Sequence, residues 1–223
     1  MEQKYFRREV IKMLRLMIYC EGETEESFVN EVLYSHLLNM NIATSSYNCR
    51  GVSTYGRIKK EIVRLCKHDR TATITTMLDY YGLPKDTPGL DTAHGNLYER
   101  INHIELAIAA DLGNLPNLIF NLIVHEFEGL LFTDTSAFTE IADIDAIAKL
   151  QKVKENFESP EHINNSVATA PSKRIDSIIP SYAKRLDGAR LARRIGIDNI
   201  SKQCLHFSEW ITKITALSKE MIK

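Results

Sequence analysis

Leu14–Cys20 (LRLMIYC) runs straight into Glu21–Glu26 (EGETEE), a short apolar run of strand formers cut off by acids. Apolar residues then recur at Phe28, Val29, Val32, Leu33 and Leu37, the spacing of one helix face. Thr24 suits the start of that helix, because its hydroxyl can accept an early backbone N–H. Glu25 and Glu26 favour a first turn, where the helix dipole is positive. The segment therefore reads as strand, polar turn and amphipathic helix.

The same unit recurs downstream. Ile42 to Cys49 is a weaker strand, and Arg57 to His68 is a helix with Ile58, Ile62 and Leu65 on one face. Thr71 to Leu78 (TATITTML) is a β-branched strand ending at Asp79, and Tyr98 to Leu112 is a third helix. Leu118 to Val124 (LIFNLIV) is almost continuously apolar, as in a strand covered on both faces, and ends at His125-Glu126. Strands alternating with helices predict an α/β fold with a parallel sheet of about four strands. Residues 12–135 form this α/β domain. Beyond it, Asp145 to Phe157, Ser172 to Tyr182, Gly188 to Gly196 and Phe207 to Lys219 favour helix. Residues 136–223 are thus expected as a helical C-terminal subdomain packed on the sheet without a linker.

Composition narrows the function classes. The 223 residues carry 28 basic and 29 acidic side chains, so no cationic coat wraps the whole molecule. A 44% hydrophobic share and no low-complexity stretch mark a globular core. No apolar run reaches the roughly 20 residues that span a bilayer, and the N-terminal stretch lacks a small-residue cleavage site. A cytoplasmic protein without a membrane partner is expected. Its four cysteines lie far apart without a CxxC pair, which argues against a cysteine zinc site. No GxxxxGK[ST], GxSxG or HExxH occurs.

Ligands bind beyond the carboxyl ends of parallel strands, and three strands here end in acids. The first runs into Glu21, the third into Asp79 and the fourth into Glu126, with Glu128 two residues on. Converging carboxylates repel one another and favour bound protons, unless a hard cation such as Mg²⁺ or Mn²⁺ offsets the charge. The pattern suggests a metal site for phosphate chemistry, with Glu21, Asp79, Glu126 and Glu128 as candidate ligands. Acids also follow strands simply because loops are polar and acids cap helices, which accounts for Glu23, Glu25 and Glu26. Glu126 and Glu128 share one face if the backbone is extended there and diverge if it is helical.

Residues 172–194 hold seven basic side chains against two acids. Lys173, Arg174, Lys184 and Arg185 are candidates to hold a polyanionic backbone. The alternative is a set of solvated helix faces. Trp210 reads as a packing anchor.

Glu21 to Glu25 resembles the EGxTE signature of TOPRIM domains of the overcoming-lysogenization-defect type. MLDYYGLP (Met77 to Pro84), HEFEGLLF (His125 to Phe132), APSKRI (Ala170 to Ile175) and IGIDNISKQCLHFSEW (Ile195 to Trp210) resemble a narrower TOPRIM-like bacterial family, the domain of unknown function numbered 4276. The resemblance covers about residues 14 to 215. It implies a TOPRIM-like fold and a Mg²⁺-dependent nuclease acting on DNA or RNA. Glu21 matches the general acid or base of such domains, and Asp79 the first member of their Asp-x-Asp metal pair. Tyr81 stands where the second aspartate would be, a departure that Glu126 or Glu128 could offset. Lys173, in the APSKRI motif, would act with Arg174 on a phosphate or the transition state. The resemblance also implies an effector of a phage-defence pair with a separate ABC-type ATPase. The alternative is a non-catalytic scaffold that binds an ATPase or nucleic acid. A less favoured reading is a phosphatase or phosphotransferase for a small substrate.

Overall fold

The computed structural model describes residues 13–51, 53–164 and 166–221. The expected domain limits at 12 and 223, and most of the stretch read for a cleavage site, lie outside the described residues. Four main strand positions form one parallel sheet. β1 (Leu14–Cys20) is flanked by β2 (Ile42–Asn48) and β3 (Thr73–Asp79), and β3 pairs in turn with β4 (Leu118–Ile119) and β5 (Leu122–Ile123). The order β2-β1-β3-β4 places β1 and β3 side by side in the middle, in register from Leu16 opposite Thr73 to Cys20 opposite Met77. The ends of these two central strands are where a crevice opens.

The expected fourth strand is broken. Leu118 to Val124 looks continuous in sequence, but Phe120 and Asn121 separate two short strands. Side chains fill the interrupted ladder. The Thr76 hydroxyl donates to the Asn121 carbonyl at 2.6 Å, and the Asn121 N–H donates back to it at 2.8 Å. Glu105 accepts the Leu122 N–H at 2.7 Å. An apolar pattern cannot reveal such a break, because the lost bonds are replaced by residues far away in the chain.

The first helix also departs from the expected form. α1 (Glu23–Phe28) passes through a π-helical turn (Val29–Leu33) into α2 (Tyr34–Leu38). Its cap is Gly22 rather than Thr24. The Gly22 N–H donates to the Glu25 carboxylate at 2.9 Å, so Glu25 closes the first turn, and Thr24 is buried inside the helix.

The two sheet faces carry separate apolar clusters. α3 (Tyr55–His68) and α4 (Leu97–Asp111) cover one face, packing Ile58, Ile62, Ile101 and Ile104 against Ile74 and Leu122. The other face is covered by α1 and by the C-terminal helices. These are α5 (Glu128–Leu131), α6 (Ile144–Glu155), α7 (Pro171–Ile178), α8 (Lys184–Ile195), α9 (Ile197–Gln203) and α10 (Leu205–Met221). Leu16 and Ile18 share one cluster with Leu191, Phe207, Trp210 and Ile214. Trp210 is the anchor its sequence context suggests. Fully buried, it donates through Nε1 to Thr75 Oγ1 at 2.9 Å, and Thr75 donates to the Ile119 carbonyl at 2.7 Å.

Among the described residues, no helix is long and apolar enough to cross a membrane. All four cysteines are buried as free thiols.

Candidate functional site

A cleft of about 840 Å³ opens beyond the C-terminal ends of β1, β2 and β3. Glu21, Glu23, Glu25, Glu26 and Asp79 make it acidic, and Lys184 faces them from α8. The backbone fixes Glu21 on both sides. Its N–H donates to the Met77 carbonyl, and its carbonyl accepts the Gly51 N–H at 2.8 Å. The turn after β3 then closes over it. Tyr80–Gly82 forms a 3-10 turn, and a Cβ built on Gly82 would lie 2.8 Å from both Glu21 carboxylate oxygens. Glycine at 82 therefore gives the Glu21 carboxylate its room.

Glu21 and Asp79 are tied to each other. The Asp79 N–H donates to Glu21 Oε2 at 3.1 Å, and Asp79 Oδ1 accepts the Phe127 N–H at 3.1 Å. Each carboxylate thus spends one oxygen on a backbone amide and keeps the other. Burial drives the Asp79 carboxyl well above the usual carboxylate range, reinforced by the Glu25 and Glu21 charges and opposed by Lys184. Burial also raises Glu21, against the pull of the Asp79 amide. Both respond as carboxylates crowded without enough positive charge.

Lys184 is the positive charge on the opposite wall. Its Nζ lies 3.0 Å from Glu128 Oε2, and Glu128 is wholly buried. Burial alone would lower this ammonium. The Glu128 and Asp79 carboxylates outweigh it and hold Lys184 above its ordinary value. Gly188, one turn along α8, lets that helix press against α1. A Cβ there would meet Thr24 Cγ2 and Phe127 Cε1 at 3.1 Å.

The remaining sequence candidates fall in different places. Glu126 and Glu128 diverge, the helical outcome of the two considered. His125 takes φ +60° and α5 begins at Glu128. Glu126 turns to α7 and accepts the Ser172 N–H at 3.0 Å, capping that helix. Glu128 meets Lys184 and, at 3.4 Å, the Tyr182 hydroxyl. Neither lines the cleft. Tyr81 sets its ring 4.9 Å from that of His125, and its N–H donates to the His125 carbonyl. Burial lowers His125 to about 4, aided by the charges of Arg100 and His162. The imidazole is therefore neutral at neutral pH.

The basic segment is largely spent on internal pairs. Arg185 meets Glu23 at 3.0 Å, Arg193 meets Glu31 at 2.6 Å, and Arg190 and Arg194 share Glu140. Arg174 donates to the Thr169 carbonyl and lies over the Phe157 ring, with 5.2 Å to its centroid. Lys173 is exposed beside Ser172, the residue Glu126 caps.

Glu23, Glu25 and Glu26 are cleft residues that the sequence pattern accounts for only as helix-capping acids. Glu25 does cap, accepting the Gly22 N–H, and a linear pattern does not separate that role from lining a cleft.

The donor set fits a hard divalent cation. Its acids offer carboxylate oxygens, and Mg²⁺ needs one or two of these with the rest of its shell as water. Among the described residues, no three His, Cys, Asp or Glu side chains stand as a ready-made cage.

Comparison with known proteins adds the following. The family model described as Domain of unknown function (DUF4276) matches residues 20–215. No curated protein matches the chain. Two similar solved structures are C-terminal regions of OLD proteins. That from Burkholderia pseudomallei has 16% identity and a TM-score of 0.47, covering 92% of this chain and 100% of its own. That from Xanthomonas campestris pv. campestris has 15% identity and a TM-score of 0.45, covering 93% and 98%.

Proposed function

We propose that this chain, which belongs to the DUF4276 family, is a divalent-metal-dependent nuclease that hydrolyses phosphodiester bonds in DNA or RNA. The observation that carries the reading is the joined pair Glu21 and Asp79. Each holds one carboxylate oxygen on a backbone amide, and both residues line the open cleft. Their raised proton affinity marks a site short of positive charge.

Glu21 and Asp79 would hold Mg²⁺ or Mn²⁺, with Glu25 as a further buried cleft carboxylate. Bound there, the cation would supply Lewis-acid polarisation of a phosphate. In the alternative role, Glu21 would keep its free oxygen for proton transfer and leave the cation to Asp79 and Glu25. Lys184 would set its ammonium against charge developing on the phosphate. Glu128 holds that ammonium in place and does not need to touch the substrate. Glu126 would serve by fixing the N-terminal end of α7, which carries Lys173 and Arg174. Lys173 is free to meet a backbone phosphate, whereas Arg174 positions the loop before α7 through Thr169. The protein would work in the cytoplasm, with a separate ABC-type ATPase as partner in a phage-defence pair.

The test is cleavage of tRNA, single-stranded DNA and plasmid DNA with Mg²⁺, Mn²⁺ or EDTA, comparing the wild type with Asp79→Ala. Metal-dependent cleavage that the variant loses supports the nuclease. No cleavage by the wild type, even with the neighbouring ATPase and ATP, overturns it.

One observation favours a second reading, a non-catalytic scaffold that binds an ATPase or nucleic acid. Tyr81 offers no carboxylate and packs its ring, tilted, against His125 instead.

A further inference from the structure

Two segments of the chain are equally basic. Residues 50–70, like residues 172–194, hold seven Lys and Arg against two acids. The fold treats them differently. Of the second set, five side chains are bound in ion pairs with Glu128, Glu23, Asp187, Glu140 and Glu31. In the first set, Arg57 pairs with Glu61 and Lys59 with Asp111. Among the described residues, Lys60, Arg64 and Lys67 have no carboxylate partner, and all three are exposed.

Their spacing puts them on one face. Lys60, Arg64 and Lys67 follow i, i+4, i+7, and Arg57 extends the stripe one turn toward the N-terminus of α3. At about 1.5 Å per residue the stripe is about 15 Å long. A backbone laid along it would meet about two to three phosphates, one for each unpaired side chain. The stripe also has a definite beginning. The Arg57 guanidinium donates to the carbonyls of Cys49 and Gly51, in the loop whose Arg50 and Gly51 form the cleft rim. An aromatic residue joins rim to stripe. Tyr47 lines the cleft, stacks on Tyr19, and lies under the Arg64 guanidinium while accepting a hydrogen bond from it at 3.0 Å. Arg64 is thereby tied to a residue of the cleft wall.

We propose that the α3 face formed by Arg57, Lys60, Arg64 and Lys67 is the track that carries a nucleic-acid backbone into the cleft. The proposal rests on the nuclease reading for its substrate class. It moves the main polyanion surface away from residues 172–194, where five of the seven basic side chains are already paired and Lys173 is left to meet a phosphate.

The test is binding, measured without metal so that cleavage plays no part. Fluorescence anisotropy would follow a labelled 30-nucleotide single strand and a duplex of the same sequence at several salt concentrations. The variant combines Lys60→Gln, Arg64→Gln and Lys67→Gln. The control combines Lys149→Gln, Lys152→Gln and Lys202→Gln, three exposed lysines on α6 and α9. Circular dichroism and melting confirm that both fold. The α3 variant should lose tenfold or more in affinity. The slope of log affinity against log salt should fall by about 2 to 3 on duplex, near 0.9 per phosphate contact. The control should keep wild-type affinity. If the wild type binds and the α3 variant binds equally well, or the control loses as much, the track is wrong and the nuclease reading stands. If the wild type binds no nucleic acid, both fall.

Discussion

The main-chain N–H of Asp79 donates to the side chain of Glu21 at 3.1 Å, so the two acidic strand ends are locked together before any ligand arrives. A buried pair of this kind costs stability whenever both carboxylates are ionised. Asp79→Asn should therefore raise the melting temperature of the metal-free protein at pH 7.5. A gain of about 1 kcal/mol corresponds to about 2–4 °C for a chain of this size. MgCl₂ should then raise the melting temperature of the wild type but not of the variant, which differential scanning fluorimetry would read.

Gly82 leaves room for Glu21, so Gly82→Ala should act on the carboxylate and spare the fold. The atoms in the way are the ends of a flexible side chain, at 2.8 Å. Stability should change by less than about 1 kcal/mol, since side-chain ends can shift. Metal-dependent cleavage should drop tenfold or more. An unchanged rate would mean that the position of Glu21 does not matter to the chemistry.

Lys184→Met would leave Glu128 buried without its partner. Lys184 is half-buried, so the cost should fall below that of a fully enclosed pair, at about 1–3 kcal/mol. Adding Glu128→Gln should restore most of it, because the stranded charge is gone. Urea denaturation of both variants and of Glu128→Gln alone completes the cycle. A double variant as unstable as Lys184→Met would show that the pair is not the cause.

A second buried pair gives a pH dependence away from the cleft. His206 Nε2 lies 2.9 Å from Glu105 Oε1. Burial alone would lower the imidazole, but Glu105 outweighs it and holds His206 above its ordinary value. The folded state therefore binds this proton more tightly than the unfolded chain. The stabilisation is complete below the unfolded value of about 6.5 and fades as pH rises through the raised folded value. His206→Gln should cost about 1–3 kcal/mol at pH 6 and less at pH 9. Equal losses at both pH values would rule out the ion pair as the source.

Trp210→Phe tests how the C-terminal helices are held. It deletes the bond to Thr75 and leaves a small void in the shared core. A loss of about 2 kcal/mol is expected from these two effects. Thermal unfolding should stay a single transition, since Leu16 and Trp210 belong to one apolar cluster. Two separate transitions would favour the division at residue 135 into independently folding parts.

Much of the fold can be read along the chain, because β1 and β3 are dense runs of strand formers stopped by acids. Glu21 and Asp79 stand out for the same reason. Other features depend on partners distant in sequence. The gap at Phe120 and Asn121 is filled by Thr76 and Glu105, from another strand and a helix. The neutral fate of Arg190 and Arg194 depends on Glu140, about 50 residues earlier in sequence. Glu126 and Glu128 look equivalent in HEFEGLLF, and the helical backbone at Phe127, which caps α5, sends them apart. Local pattern reports a residue's own conformation well and its ion-pair partner hardly at all.

The shared core also has a consequence in time. β1 and β3 meet early in the chain, but Phe207, Trp210 and Ile214, which help cover them, are translated last among the described core residues. At 5–20 residues per second, the interval between Asp79 and Trp210 is roughly 7 to 26 seconds. For that interval the nascent chain presents Leu16 and Ile18 without their final cover. This is the window in which a chaperone would find this protein on the ribosome.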